Sequence, residues 1–225
     1  YVTGPYRFLL NSKEAIDYSD LPLIVFDIET AAKNKTIFPV VALIIMEMVM
    51  KKIEKLGKKT RVRFIIDEGW KVLKSDLESF VEYMYKTCRK NEGGITFATQ
   101  NPEDIEKSAI AASLKLNMDT IVLLNFHGKE QFFPSLQRTF DLTEFQLDLL
   151  RDLKVRDDYR EFLMIMSGHP RIFRYKASEK TNAVYTSKGI EKAQIRDLFK
   201  KYGKIGPAIN QYIENQKLKQ REKIS

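Results

Sequence analysis

Cysteine is almost absent from this chain of 225 residues. The single thiol, Cys88, excludes an internal disulfide and fits a reducing compartment. It lies among apolar helix positions with no base near it in sequence, which predicts a buried structural thiol rather than a nucleophile. Histidine is scarce as well: His127 and His169 stand apart, without Cys, His or carboxylate partners at ligand spacing, and give no basis for a zinc site or a catalytic histidine. No GxSxG elbow is present to carry a serine nucleophile. Long apolar runs are missing too. The longest, residues 37–46, is too short to span a bilayer and is followed by Glu47 and Lys51. The opening residues, YVTGPYRFLL, have neither the charged start nor the small-residue cleavage site of a secretory signal, and no Met begins the chain, so a piece of a longer protein is expected. With ten Gly, seven Pro and 44% hydrophobic residues, the composition is that of a soluble globular domain able to bury one sizeable core.

What is present is concentrated in residues 62–73, VRFIIDEGWKVL. An apolar run of strand length ends there in an adjacent acid pair, Asp67 and Glu68. Two carboxylates at the C-terminal tip of a buried strand are what nucleoside-triphosphate hydrolysis needs, one to hold Mg²⁺ through water and one to polarise the attacking water. The segment therefore reads as a Walker B element; a strand ending in a solvated acidic turn is the plainer alternative. Phe64, Ile65 and Ile66 are consecutive rather than alternating, which predicts a central parallel strand covered on both faces. Ligands of open α/β sheets lie at the carboxyl ends of such strands.

The net charge of +8 gathers largely in KKIEKLGKKTRVR, residues 51–63, and in the tail KLKQREK, residues 217–223. Solvated helix faces account for such runs; contact with nucleic-acid phosphates or anionic lipid is the sharper reading, and it would show as a steep salt dependence. Aromatics do not interleave with these runs, so a base-stacking platform is not indicated.

Strand and helix signals alternate along the chain. LPLIVFDI, residues 21–28, reads as a strand ending near Asp27 and Glu29. A long helix follows over residues 36–55, with Ile37, Val40, Val41, Ile44, Ile45, Met48 and Ile53 on one broad apolar face. After the strand at 62–67, the pattern SDLE, Ser75 to Glu78, predicts a capping box opening a helix that runs to about Lys90 and stops at Gly93 and Gly94. Strands are expected at residues 95–99 and 119–126, with a helix over 102–116 between them; connections of this length favour parallel pairing through right-handed crossovers. Residues 128–154 read as short helices with a second capping box at Thr143 to Gln146. The runs at 160–166 and 171–177 flank a turn at Ser167 to Pro170, which predicts an edge hairpin. The last 38 residues divide into two helices around Gly203 to Pro207. The expected class is α/β, with a mainly parallel sheet over residues 1–186 and a C-terminal helical tail over 187–225.

If the strands ending at residues 67 and 99 are neighbours, Thr99 and Gln100 emerge at the same edge as Asp67 and Glu68. A glutamine there can sense a γ-phosphate or orient water, and it can equally be a plain loop amide. Arg89 and Lys90 end the preceding helix, where cations satisfy the last carbonyls; an arginine finger aimed at a neighbouring subunit's nucleotide is the functional alternative.

IIDEGWKVL, followed some twenty residues later by TCRKNEGGITFATQN, resembles the C-terminal motor domain of the TraC-like conjugation ATPases, the large cytoplasmic ATPases of type IV secretion systems. LPLIVFDIET with FPVVALIIMEMV, FPSLQRTFDLTEFQLDLL, RIFRYKASEKTNAVYTSKG and KYGKIGPAINQYIEN extend the likeness over nearly the whole chain. The resemblance implies a RecA-like P-loop NTPase domain that uses ATP and Mg²⁺ and works as a hexamer at the cytoplasmic face of the inner membrane. Type IV secretion channel components would be its partners. Under it, Asp67 orders Mg²⁺ through water, Glu68 is the catalytic base and Gln100 matches the polar sensor, with Thr99 expected beside it as a cofactor-binding residue. Arg89 and Lys90 match the basic motif at the subunit boundary, and Trp70 takes the aromatic position after the acid pair, where packing of the turn is its plain role.

One departure stands out. No GxxxxGK[ST] occurs in the sequence, so the phosphate cradle, its Lys and the Mg²⁺-binding hydroxyl are missing, and neither Gly4 nor Gly203 replaces them. This chain alone is expected to be a poor ATPase, and the family's Walker A segment is expected upstream of the region matching YVTGPYRFLLN. A noncatalytic docking module of the secretion machine, and a DNA-pumping translocase of the FtsK and HerA type, are the competing readings.

Overall fold

The computed structural model describes residues 7, 18, 20–56, 60–69, 78–156 and 158–222. The capping box expected at Ser75 and the aromatic Trp70 lie outside the described residues. Helices and both parallel and antiparallel strand pairs are present, in two compact units. No helix among the described residues is long and apolar enough to cross a membrane.

The first unit comprises residues 1–118 and 134–141. Among the described residues its helical segments include α1 (Glu29–Ala32), α2 (Phe38–Leu56), α3 (Glu78–Thr87), α4 (Pro102–Glu106), α5 (Ala111–Asn117) and α6 (Phe133–Phe140), the last reaching one residue into the other unit. Its strands are β1 (Val62–Ile66) and β2 (Gly93–Phe97), paired in parallel with Ile66 opposite Phe97. Met46, Met50 and Ile53 of α2 pack with Val81 and Met84 of α3, with Cys88, and with Ile66 of β1 in one cluster. Cys88 is the buried structural thiol that its surroundings in the sequence predict.

Three details of this unit depart from the sequence pattern. On α2 the buried stripe is Phe38, Ala42, Met46, Met50 and Ile53, spaced close to i, i+4, whereas Ile44 of the expected face is 40% exposed. The helix carries two apolar stripes, and the one containing the flexible methionines fills the core. Ile65 is 62% exposed, so β1 is covered on one face among the described residues: Val62, Phe64 and Ile66 face the cluster, and Arg63 and Ile65 do not. Residues 21–28 form no strand. Ile24, Phe26 and Ile28 are half-buried and Leu23, Val25 and Asp27 exposed, but a lysine rather than a second strand takes up the carbonyl at the start of the segment: Lys52 Nζ donates to Leu21 O at 2.5 Å and to Tyr18 O, three residues before it, at 3.3 Å.

The glycine pair at 93–94 begins β2 rather than ending a helix. A single 3-10 turn over Cys88–Asn91 intervenes, and Glu92 reverses the chain with φ 55°. Gly93 sits so close to this turn that a Cβ would lie 3.0 Å from the carbonyl oxygen of Cys88 and 3.2 Å from Ile53. The helix expected over 102–116 is likewise two helices, α4 and α5, separated by a turn at residues 107–110.

The second unit comprises residues 119–133 and 142–225. It holds β3 (Thr120–Leu123), α7 (Glu144–Arg151), β4 (Arg160–Met166), β5 (His169–Tyr175), α8 (Glu179–Tyr185), α9 (Gly189–Tyr202) and α10 (Ile205–Glu222). The strand expected to extend a parallel sheet, β3, instead pairs antiparallel with β4, and β4 pairs antiparallel with β5. β4 alternates buried Glu161, Leu163 and Ile165 with more exposed neighbours, the period-2 pattern of a sheet with one covered face. The hairpin turns through Ser167 and Gly168, both with positive φ, so β5 starts two residues earlier than the sequence suggests. The capping box of α7 forms as expected: Gln146 N donates to Thr143 Oγ1 and Gln146 Oε1 accepts from Thr143 N. α9 ends at Gly203 in the left-handed region, and Ala183, Ile195, Ile209 and Tyr212 join α8, α9 and α10 in a small core.

Candidate functional site at the tips of the parallel strands

Because β1 and β2 run in parallel and end in register, the chain leaves both at one edge of the sheet. The pairing continues past the strands: Ala98 N donates to Ile66 O at 2.9 Å, and Gly69 N donates to Ala98 O at 3.0 Å. Between these two bonds lie Asp67 and Glu68. Asp67 is exposed, and its Oδ1 accepts from the backbone N–H of Glu68 at 3.0 Å. Glu68 is half-buried and has φ 52°, a left-handed conformation uncommon for a residue with a side chain and costly enough to draw notice beside a ligand edge.

The neighbouring tip supplies Thr99 and Gln100. Gln100 Nε2 donates to Glu68 Oε1 at 2.5 Å, joining side chains that are 32 positions apart in sequence. Thr99 is occupied locally: its Oγ1 donates to Asn101 O and accepts from Asn101 N, both at 3.3 Å. Asn101 then caps α4, its side chain accepting from Glu103 N at 3.1 Å with Pro102 in the first turn. The structure thus brings together Asp67, Glu68, Thr99 and Gln100 at one edge.

The backbone of Arg89 and Lys90 lies away from this group. They lie on the 3-10 turn that precedes β2, at the amino end of the sheet, and a five-residue strand at about 3.3 Å per residue puts them roughly 15 Å from the acid pair. Lys90 is exposed. Asp27 and Glu29 are spent nearer home: Asp27 Oδ1 accepts from Glu29 N at 3.0 Å, and Glu29 pairs with Lys33 at 3.8 Å.

Two residues of the site carry no titratable or nucleophilic group and so gave no chemical signal in the sequence. Gly69 is pressed beneath the ring of Phe97, where a Cβ would lie 2.3 Å from Phe97 Cζ; the glycine after the acid pair is what lets the chain turn there. Asn101 fixes the start of α4, and an Asn immediately before a Pro at a strand end is a readable capping signal.

The donor set is all oxygen and amide. An exposed carboxylate with a second one beside it suits Mg²⁺, a hard cation that keeps several waters and takes one or two carboxylates together with substrate phosphates. A magnesium nucleotide would need such a carboxylate at its metal end, and Asp67 offers one. The phosphate end has no counterpart in this sequence, which lacks the glycine-rich lysine loop.

Comparison with known proteins gives these strand tips a family context. The TraG P-loop domain family is matched over residues 1–216. The type IV secretion system protein virB4 of Bartonella quintana (strain Toulouse) is 32% identical over 105 residues, which is 46% of this chain and 13% of that protein, and the virB4 of Bartonella henselae matches to the same extent. Protein TraC of Escherichia coli (strain K12) is 21% identical over 199 residues, 83% of this chain and 22% of that protein. The chain therefore spans between about an eighth and a fifth of the length of these relatives. The match over almost all of its length shows that the chain belongs to the TraG P-loop domain family.

Proposed function

We propose that this chain is part of an ATP-hydrolysing motor that energises type IV secretion or conjugative transfer, with a RecA-like core and a mainly parallel sheet in the whole protein. The observation that carries the reading is the meeting of Asp67, Glu68 and Gln100 at one edge of a parallel strand pair. The family match and the secretion-system names of the relatives support it. In this reading Asp67 holds Mg²⁺ through water and Thr99 lines the nucleotide edge. Glu68 accepts the proton of the attacking water, and Gln100 is the polar residue beside it. Mg²⁺ would supply charge neutralisation at the phosphates.

The distance of Arg89 and Lys90 from the acid pair favours a role toward a neighbouring subunit over one within the same chain, in keeping with a hexamer. Residues 1–186 hold every side chain invoked here, and residues 187–225 form the proposed helical tail. Channel components of the secretion system, the cytoplasmic face of the inner membrane and a possible nucleic-acid contact complete the proposed setting. Part of the basic run is used within the chain, since Lys52 binds the carbonyls of Tyr18 and Leu21 and Arg61 pairs with Glu92 at 3.7 Å, which weakens the case for phosphate contact.

The test is ATP turnover by the whole protein, including the phosphate-binding loop that this sequence lacks. Glu68→Gln is expected to lower kcat by about 10²- to 10⁴-fold while ATP still binds. An unchanged rate would sink the assignment of the base and favour the noncatalytic docking module. Strong, salt-sensitive stimulation by DNA would move the reading to a DNA-pumping translocase.

A further inference from the structure

The bond between Gln100 and Glu68 has a mechanistic content that the acid pair alone lacks. Two backbone devices fix where Glu68 begins: its own N–H is held by Asp67 Oδ1, and the next residue is held by Gly69 N donating to Ala98 O. These two bonds act on the main chain and not on the carboxylate. A glutamate has three side-chain torsions, and a base that wanders by about 1 Å loses much of its advantage in proton transfer. The side chain of Gln100 reaches that carboxylate, with Nε2 at 2.5 Å from Oε1.

Gln100 is itself well anchored. On one side Ala98 N is bonded to Ile66 O, and on the other Asn101 is bonded to Thr99 and caps α4. The amide of this exposed residue is therefore presented from a fixed backbone to the carboxylate of half-buried Glu68. It is also the right kind of donor. A neutral N–H orients a carboxylate without the full positive charge of Lys or Arg, which would hold the base in a strong ion pair. Because a carboxylate offers about four lone-pair sites, accepting from Gln100 is compatible with accepting a proton from water.

We propose that Gln100 is a positioning residue that acts through Glu68: its amide aims the carboxylate of the general base across the gap between the two strand tips, and its effect on turnover passes through that carboxylate rather than through a direct contact with the nucleotide. This inference rests on the reading of Glu68 as the base. It differs from a γ-phosphate sensor in one measurable respect, because a residue that works through Glu68 has nothing left to do once Glu68 can no longer act as a base.

The experiment is a double-mutant cycle in the whole protein, reading kcat, KM and the affinities for ATP and ADP. Gln100→Ala is expected to lower kcat by about 10- to 100-fold with KM unchanged. Gln100→Glu, which replaces the donor by a second carboxylate, is expected to lose at least as much. In the Glu68→Gln background, Gln100→Ala is expected to change neither the residual turnover nor the preference for ATP over ADP. The proposal is overturned if Gln100→Ala weakens ATP relative to ADP in that background, which would make the amide a direct reader of the nucleotide, or if it leaves kcat intact when Glu68 is present. Retained nucleotide affinity in each variant guards against loss of folding as the cause. Full turnover in Glu68→Gln alone would instead remove the underlying reading of the base, an outcome separate from any behaviour of Gln100.

Discussion

The two sheets among the described residues are built on opposite plans. The pair β1–β2 is parallel and its partners lie about thirty residues apart, so its pairing depends on everything folded between them. The hairpin β4–β5 is antiparallel, pairs seven residues on each strand, and closes through two turn residues. Polar chemistry follows the same division. At the tips of β1 and β2 the polar side chains stand at an open edge, and Glu68 holds a left-handed backbone that no hairpin requires. In the hairpin the one buried carboxylate is turned inward and consumed: Glu161 accepts from Arg174 at 2.9 Å and from the backbone of Lys154 at 2.9 Å, while Arg174 lies over the ring of Tyr159 at 4.1 Å. Positive-φ residues in the hairpin serve the turn, whereas Glu68 stands at the carboxyl edge of the parallel pair, the edge where ligands bind in sheets of this kind, and Glu92 turns the chain into β2 at the opposite edge.

The sharpest way to break this comparison is to empty the core of the hairpin sheet. Leu163 is fully buried on β4, opposite Leu123 of β3 and Ile172 of β5. Leu163→Ala is expected to lower the stability measured by hydrogen exchange at the β4 and β5 amides by about 2–5 kcal/mol. Equal losses at the β1 and β2 amides would show that the two sheets unfold as one cooperative body. A smaller effect is expected at the parallel tips. Gly69→Ala would drive a methyl group into the ring of Phe97, and displacement of that ring is expected to cost about 1–3 kcal/mol of thermal stability. Unaltered melting would mean the ring swings aside freely and the tip is looser than its contacts suggest.

The smallest effect concerns the ion pair of the hairpin. The hydrogen bond from Arg174, and then that from the Lys154 backbone, hold the Glu161 carboxyl below its usual range. A carboxyl lowered by folding contributes stability that is present above its unfolded value and lost as pH falls through its folded one. Glu161→Gln should therefore be less stable than the parent in urea at neutral pH, and the gap between the two should close as the pH drops below about 4. A gap that persists unchanged in acid would show that packing around Glu161, rather than its charge, matters.

Local signals were well legible in the sequence. The acid pair at a strand end, the Thr143 capping box, the hairpin around Ser167 and the Gly203 break each depend on a few adjacent residues, and each has its counterpart in the structure. The shared edge of Asp67, Glu68 and Gln100 was also readable, because two apolar runs each ended in polar residues of the required kind. Long-range choices were not. An apolar triplet such as Phe64, Ile65 and Ile66 is compatible with one covered face or two, and the exposure of Ile65 is decided by what packs above it. Residues 119–126 have the composition of a strand for either direction of pairing, and the partner that claims them, β4, lies some forty residues on. The segment 21–28 has a strand's alternation without a strand's ladder, since propensity says nothing about whether a neighbour is at hand.

Gly69 carries a consequence for how the site behaves under load. Its amide is tied to Ala98 and its bare α-carbon lies under Phe97, so the turn that carries the acid pair rides on the adjacent strand as a wheel rides on its axle. Any rearrangement that pulls on the end of β2, whether it starts at α4 or farther away, would carry the two acids along through main-chain bonds. The absence of one methyl group is what keeps that linkage short enough to be stiff.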